Sequence, residues 1–252
     1  MDWAQSRATK YGKGDWVKPW AWQGYVGYSC GPCQVGERPD GTIVRLSSKA
    51  AHDWLQSGFP AGHNVSRIDV AMTVWGVSDQ SVQIALHSAE AEAERKTLQS
   101  RPFKVRLIDG KGDGDTLYVG SRSSDLFVRI YDKEREQKDD EQWKSALRYE
   151  CECKEDMAKR VYERCVFGGY SAANCAQVLI GLLARRGIVP MDARGVRGAH
   201  IPPTNIPKSS VESSLSWLEE QVSPTVRKLI AAGYEREVWD ALGITHRIKN
   251  DD

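Results

Sequence analysis

Three short segments that alternate between apolar and ionic residues constrain this chain more than any other feature. In SRIDVAMTVW (Ser66–Trp75), Ile68, Val70, Met72 and Val74 fall on one side, and Arg67 and Asp69 on the other. In LFVRIYDK (Leu126–Lys133), Leu126, Val128 and Ile130 oppose Arg129 and Tyr131. In ALRYECECK (Ala146–Lys154), Leu147, Tyr149, Cys151 and Cys153 oppose Arg148, Glu150, Glu152 and Lys154. Side chains alternate across a strand, so residues two apart share a face. Each segment therefore offers one side to a core and keeps one side ionic. Solvated charged faces are common in antiparallel sheets, but they favour scattered Lys, Thr and Ser. Carboxylates, arginines and a tyrosine gathered on one face point instead to a metal and phosphate site.

The rest of the chain supplies helices and turns to hold these strands. A cap at Ser78 or Asp79 and the stripe Val82, Leu86, Ala89 and Ala93 predict a long helix over Asp79–Gln99. Met157, Val161 and Cys165 predict a helix over Glu155–Phe167, stopped by Gly168-Gly169. Ser171 is placed to cap Ala172–Arg186, with Val178, Leu179, Leu182 and Leu183 apolar. Further helices are expected over Val211–Val222, from Pro224 to Ala232, and over Glu235–Leu242. A strand is expected at Phe103–Ile108, and Asp109–Asp115 reads as a hairpin connection, lacking the helical flanks and terminal Glu of an EF-hand. The run DKEREQKDDEQW reads as a short charged helix or exposed connector.

Towards the N-terminus the chain is rich in Trp3, Trp16, Trp20, Trp22, Tyr25 and Tyr28, read as short strands or loops packing as a hairpin on the sheet. A turn at Arg38–Gly41, a strand at Thr42–Leu46 and a helix from Ser47 or Ser48 to Leu55 follow. Cys30-Gly-Pro-Cys33 reads as a tight turn, because a lone CxxC is weak evidence for zinc and lacks a thioredoxin-like context. The resulting fold class is α+β: a central antiparallel-rich sheet of about five strands, helices on one face, and a helical C-terminal region. Three regions are expected: an aromatic-rich segment (1–58), a catalytic sheet domain (59–170) and the helical region (171–252).

GDTLYVGSRSSDLFVRIYDKEREQ followed by LRYECECK resembles the Rep_trans family, rolling-circle replication initiators of plasmids and phages with related conjugative relaxases. The Leu-Tyr-x-Gly-Ser-Arg hairpin, the Arg-x-Tyr-Asp-Lys strand end and the Arg-x-Glu strand occur in order, with an Arg-x-Asp strand upstream. The resemblance spans roughly residues 60 to 230. It implies a fold related to the HUH nucleases, yet their paired histidines are missing: His52, His63, His87, His200 and His246 are scattered. A metal here must be held mainly by carboxylates, which select hard ions, Mg²⁺ or Mn²⁺.

The family motif implies Tyr131 as nucleophile, with Tyr118 and Tyr149 as rivals, and Lys133 as a catalytic or phosphate-holding group. Asp69 and Glu150 are first-choice metal ligands, with Glu152 as a third ligand or an outer group. Arg67, Arg122, Arg129 and Arg148 are expected to hold DNA phosphates. The implied activity is metal-dependent nicking and rejoining of single-stranded or hairpin origin DNA through a 5′-phosphotyrosine. Its implied partners are a host helicase, a polymerase and a second copy of the chain. A conjugative relaxase and a catalytically silent DNA-binding protein are the alternatives. Net charge is only +1, so DNA affinity must come from a local basic face. Arg185/Arg186, Arg194/Arg197 and Arg227/Lys228 are candidates for it. No window approaches a membrane span and no apolar leader opens the sequence, which gives a cytoplasmic expectation.

Overall fold

The computed structural model describes residues 18–57, 63–99, 102–111, 114–138, 140–166, 169–193, 196–202, 215 and 218–241. Trp3, Trp16, Arg194, His246 and the start of the helix expected from Val211 lie outside them. The chain forms two compact units, 1–203 and 204–252.

The ionic–apolar segments become three adjacent strands of a five-stranded sheet, one of them at its edge. Its strands are β5 (Arg67–Trp75), β6 (Val105–Ile108), β7 (Thr116–Val119), β8 (Leu126–Asp132) and β9 (Ala146–Lys154), in the order β5-β9-β8-β7-β6. Every neighbouring pair is antiparallel. One face carries the core. Leu117, Val119, Leu126, Val128, Ile130, Leu147, Tyr149, Cys151 and Cys153 are all buried there. The helices Asp79–Gln99 (here α2), Glu155–Val166 (α4) and Ala172–Arg185 (α5) cover this face with the apolar stripes expected for them. Ser171 caps α5, its hydroxyl accepting from the Asn174 N–H at 3.1 Å. The Asp109–Asp115 segment joins β6 to β7, and two of its acids are used locally: Asp115 accepts from Gly110 N–H at 3.1 Å and Asp109 from Lys111 N–H at 2.8 Å.

The hairpin between β7 and β8 depends on Gly120. Its φ of +100° is costly for a residue with a Cβ, and a Cβ there would lie 2.9 Å from the Leu126 carbonyl oxygen. Ser124 closes the loop, its hydroxyl donating to the carbonyls of Ser121 and Leu126 at 2.6 and 2.8 Å. After β8, Asp132 accepts from the Arg135 N–H at 3.0 Å and starts the single-turn helix α3 (Lys133–Glu136). A 3₁₀ turn, Glu141–Trp143, leads into β9.

The aromatic N-terminal segment folds further than the sequence reading allowed. It makes a four-stranded antiparallel meander, β1 (Lys18–Trp22), β2 (Tyr25–Cys30), β3 (Cys33–Arg38) and β4 (Gly41–Leu46), followed by helix α1 (Ser48–Ser57). Two-residue turns make this possible. Gln23 and Gly24 both have positive φ, 47° and 81°, as a hairpin turn matched to strand twist requires. Cys30 and Cys33 pair across the Gly31-Pro32 turn and are free, buried thiols. Burial pushes the Cys33 thiol up to about 11. One face of the meander packs Val35, Val44 and Leu46 on Trp54 of α1. The described part of the second unit has a π-type turn at Leu218–Val222, then helices α6 (Ser223–Ala231), with Pro224 in its first turn, and α7 (Glu235–Ala241). Among the described residues, no helix is long and apolar enough to cross a membrane.

Strand β9 is hydrogen-bonded on both sides, so truncating its core side chains leaves a void that cannot close. Leu147, fully buried, is expected to cost about 2–5 kcal/mol when changed to Ala. Denaturant unfolding of Leu147→Ala against the unaltered protein measures this.

Candidate active site

The face of the sheet opposite the helices collects the ionic residues in rows set by register. Asp69 lies opposite Glu152, and Glu152 opposite Phe127. Glu150 lies opposite Arg129, and Arg129 opposite Tyr118. Arg148 lies opposite Tyr131, and Tyr131 opposite Thr116. Three adjacent strands thus bring together Arg67, Asp69, Arg129, Tyr131, Arg148, Glu150 and Glu152.

These residues divide into two ionic groups. In the first, Arg67 Nη2 sits between two carboxylates, 2.6 Å from Asp69 and 2.8 Å from Glu152. Lys154 lies 2.8 Å from the other Glu152 oxygen. Burial raises the Glu152 carboxyl, but the hydrogen bond from Lys154 and the charges of Arg67, Lys154 and Arg129 outweigh it and hold the group below its ordinary value. The Arg67 guanidinium is raised, first by its hydrogen bond to Asp69. In the second group, Glu150 accepts from Arg129 on one oxygen and from the Tyr131 hydroxyl, at 3.0 Å, on the other. Arg148 stands 3.8 Å from that same oxygen and donates to Thr73 at 3.1 Å. Burial and then the Glu150 charge push the Tyr131 phenol well above its usual range. Tyr131 therefore stays neutral until something takes its proton.

Lys133, first residue of α3, pairs with Glu136 and lies 5.6 Å from the Tyr131 ring centre. A shallow hollow beside it is lined by Thr116, Tyr118, Arg129, Tyr131, Asp132 and Glu136. Tyr118 shares the ionic face, stacked on Phe127 at 5.7 Å. Tyr149 points into the core and its hydroxyl accepts from Met191 N–H at 3.1 Å. Arg122 lies in the β7–β8 turn, its guanidinium 5.7 Å from the Phe127 ring. Arg186 is not part of a basic face. It donates to the Leu126 carbonyl at 2.8 Å and packs 4.6 Å from the Phe103 ring, so it ties α5 to β8. Arg185 similarly reaches the Met157 sulfur, at 3.6 Å.

The carboxylates suit a hard cation in donor type. Asp69 and Glu152 are neighbours across β5 and β9, and Arg67 already holds a cationic nitrogen between them. Among the described residues, no three His, Cys, Asp or Glu side chains are grouped closely enough to hold a metal as they stand. Two carboxylates are sufficient for Mg²⁺, which keeps several waters and takes substrate phosphate oxygens as ligands. Glu150, read from sequence as a ligand, has both oxygens engaged by Arg129 and Tyr131.

The depressed Glu152 carboxyl sets a pH dependence. Its stabilising ion pairs are present above the ordinary glutamate range and are lost as pH falls through its lowered folded value. Between about pH 6 and pH 3, the protein should lose stability, and Glu152→Gln should flatten that decline while costing about 1–3 kcal/mol at neutral pH. Urea midpoints measured across that interval for both proteins test it.

Comparison with known proteins bears on the fold and the family. No curated protein matches the chain. Among solved structures, one titled as a rolling circle replication initiator protein from Geobacillus stearothermophilus matches with a TM-score of 0.50 at 18% identity, covering 71% of this chain and 75% of that one. The fold is shared. The Rep_trans profile, described as replication initiation factor, matches residues 63–241, which include all five strands of the ionic sheet. The chain belongs to the Rep_trans replication initiation factor family.

Proposed function

We propose that this protein starts rolling-circle replication by nicking one strand of origin DNA at Tyr131 and later rejoining it. The observation that carries this reading is the Tyr131 hydroxyl, 3.0 Å from Glu150 on a face that also holds Arg129 and Arg148. A phenol this far from ionising is a poor nucleophile alone. Glu150 already accepts its hydrogen bond and is positioned to take the proton as the oxygen attacks phosphorus. The phosphorus–oxygen 3′ bond breaks as the tyrosyl–phosphorus bond forms. The leaving oxygen takes a proton from solvent to become a free 3′-OH, Glu150 gives the phenol's proton up to solvent, and the 5′ end stays on Tyr131 as a phosphotyrosine. Attack by a 3′-OH in the reverse direction rejoins the strand without ATP, because the ester bond was conserved.

The arginines have separate tasks. Arg129 holds Glu150 and keeps its charge on the face. Arg148 stands 3.8 Å from Glu150, a looser pairing than that of Arg129, and can turn from Thr73 to a phosphate oxygen. Asp69 and Glu152 would hold Mg²⁺ or Mn²⁺, which neutralises phosphate charge and aligns the attacked group. Arg67 must then leave its seat between them, and it becomes available to DNA. Lys133 stands over the tyrosine ring and supplies positive charge where phenolate charge develops.

Tyr131→Phe should form no covalent adduct and cleave nothing, while folding and binding single strands normally. Glu150→Gln should slow adduct formation by about 10²–10⁴-fold. Asp69→Asn and Glu152→Gln should weaken Mn²⁺ binding seen by electron paramagnetic resonance. The assay is a labelled origin oligonucleotide followed on denaturing gels, with peptide mass spectrometry to locate the adduct. An adduct on Tyr118, or cleavage with no adduct, would refute the mechanism.

A further inference from the structure

Beside the nucleophile lies an aromatic pair that the chemistry above does not use. Trp75 is the last residue of β5 and, by alternation, shares the face of Arg67 and Asp69. Its register partner is Ala146, too small to cover it, and Trp75 is 53% exposed. Its ring stacks on Trp143, centroids 5.5 Å apart and planes 12° from parallel. Lys133 Nζ stands 5.1 Å from the Trp143 ring centre and 5.6 Å from that of Tyr131. A line therefore runs Trp75, Trp143, Lys133, Tyr131.

The turn that bears Trp143 is tied down by hydrogen bonds. Trp143 N–H donates to the Asp140 carbonyl at 2.9 Å, and the Asp140 side chain accepts from Gln142 N–H at 3.2 Å. Ser145 N–H donates to Glu134 of α3 at 2.7 Å, which ties the turn bearing Trp143 to the helix that begins just after Tyr131. Arg148, bound to Thr73 two residues before Trp75, puts a guanidinium between the aromatic pair and Glu150. An exposed flat ring, Trp75, backed by the partly buried Trp143 and flanked by a lysine and an arginine, matches a ligand with both π faces and negative charge.

We propose that Trp75 and Trp143 form a stacking platform for an unpaired base of single-stranded DNA next to the scissile phosphate. In duplex DNA both faces of a base are already stacked, so the platform selects unpaired strand. Lys133 and Arg148 favour a polyanion over an apolar protein partner. The platform places the strand so that its phosphate lies at Tyr131; it rests on the reading of Tyr131 as nucleophile only for that placement.

The test uses two 12-nucleotide probes labelled with fluorescein: oligo(dT), and the same backbone with every base replaced by tetrahydrofuran. Anisotropy titrations compare wild type, Trp75→Ala, Trp75→Phe and Tyr131→Phe. Trp75→Ala should weaken oligo(dT) binding about five- to hundredfold, the range for losing one stacked base. The abasic probe should bind wild type and Trp75→Ala alike, and Trp75→Phe should restore most oligo(dT) affinity. Unchanged oligo(dT) affinity in Trp75→Ala, or equal loss on both probes, overturns the proposal and leaves a protein contact or a structural role. Should Trp75→Ala fail to fold, ultraviolet crosslinking of wild type to oligo(5-iodo-dU) decides: adducts on the Trp75 or Trp143 peptides support the platform, and adducts only elsewhere overturn it. Tyr131→Phe should bind oligo(dT) as wild type does. A failure of the nicking assay together with a positive Trp75 result would refute the cleavage reading and leave the platform standing.

Discussion

The buried carboxylates of β9 govern the rest of the site. Glu150 and Glu152 are only 8% and 6% exposed. Placing carboxylates so far from water costs several kcal/mol each unless charge and hydrogen bonds compensate. Arg67, Lys154, Arg129 and the Tyr131 hydroxyl supply that compensation. The interior position of β9 makes the arrangement available, because β5 and β8 flank it and deliver cations from both sides. Its other face, with Leu147, Tyr149, Cys151 and Cys153, anchors the same strand in the core. One nine-residue strand therefore couples folding to the chemistry of the face.

That coupling explains why Tyr131 is held neutral. A phenol buried beside a carboxylate is the worse acid for both reasons, and its hydrogen bond to Glu150 favours the protonated form. The bond also points the oxygen's proton at the group best placed to receive it. On the mechanism proposed above, a divalent cation arriving with the phosphate would change the balance by adding positive potential where the phenolate would form. The site would then be quiet in the absence of DNA, and its reactivity would depend on substrate arriving.

Much of this was legible in sequence because it depends on period. The two faces of β5, β8 and β9 follow from alternation, and the stripes of α2, α4 and α5 from helical spacing. Less was legible where partners are far apart in sequence. Asp69 and Glu152, or Arg129 and Glu150, meet only through register between distant strands. The sequence pattern therefore grouped the three acids as one ligand set, whereas in the fold Asp69 and Glu152 share Arg67 while Glu150 serves Tyr131 and Arg129. Arg186 looked like half of a basic pair, but it leaves the end of α5 for a carbonyl on β8. The N-terminal meander was under-read because Trp, Tyr and Gly blur alternation, and its two-residue turns carry most of the signal.

Near-neutral net charge fits a site whose cations are already committed to carboxylates. Arg67, Arg129 and Lys154 each face an acid on the same sheet, so little positive field escapes to attract duplex DNA from a distance. Affinity then has to come from exchange at contact. On the reading proposed above, a divalent ion taken up by Asp69 and Glu152 would cancel their charge and release Arg67, converting an internally neutral cluster into one with a free guanidinium. Arg148, 3.8 Å from Glu150, needs no such release. Binding built this way would depend weakly on overall charge and strongly on whether metal, phosphate and unpaired base arrive together. On the proposed nicking activity, that would favour cutting one strand at one place and ignoring the rest.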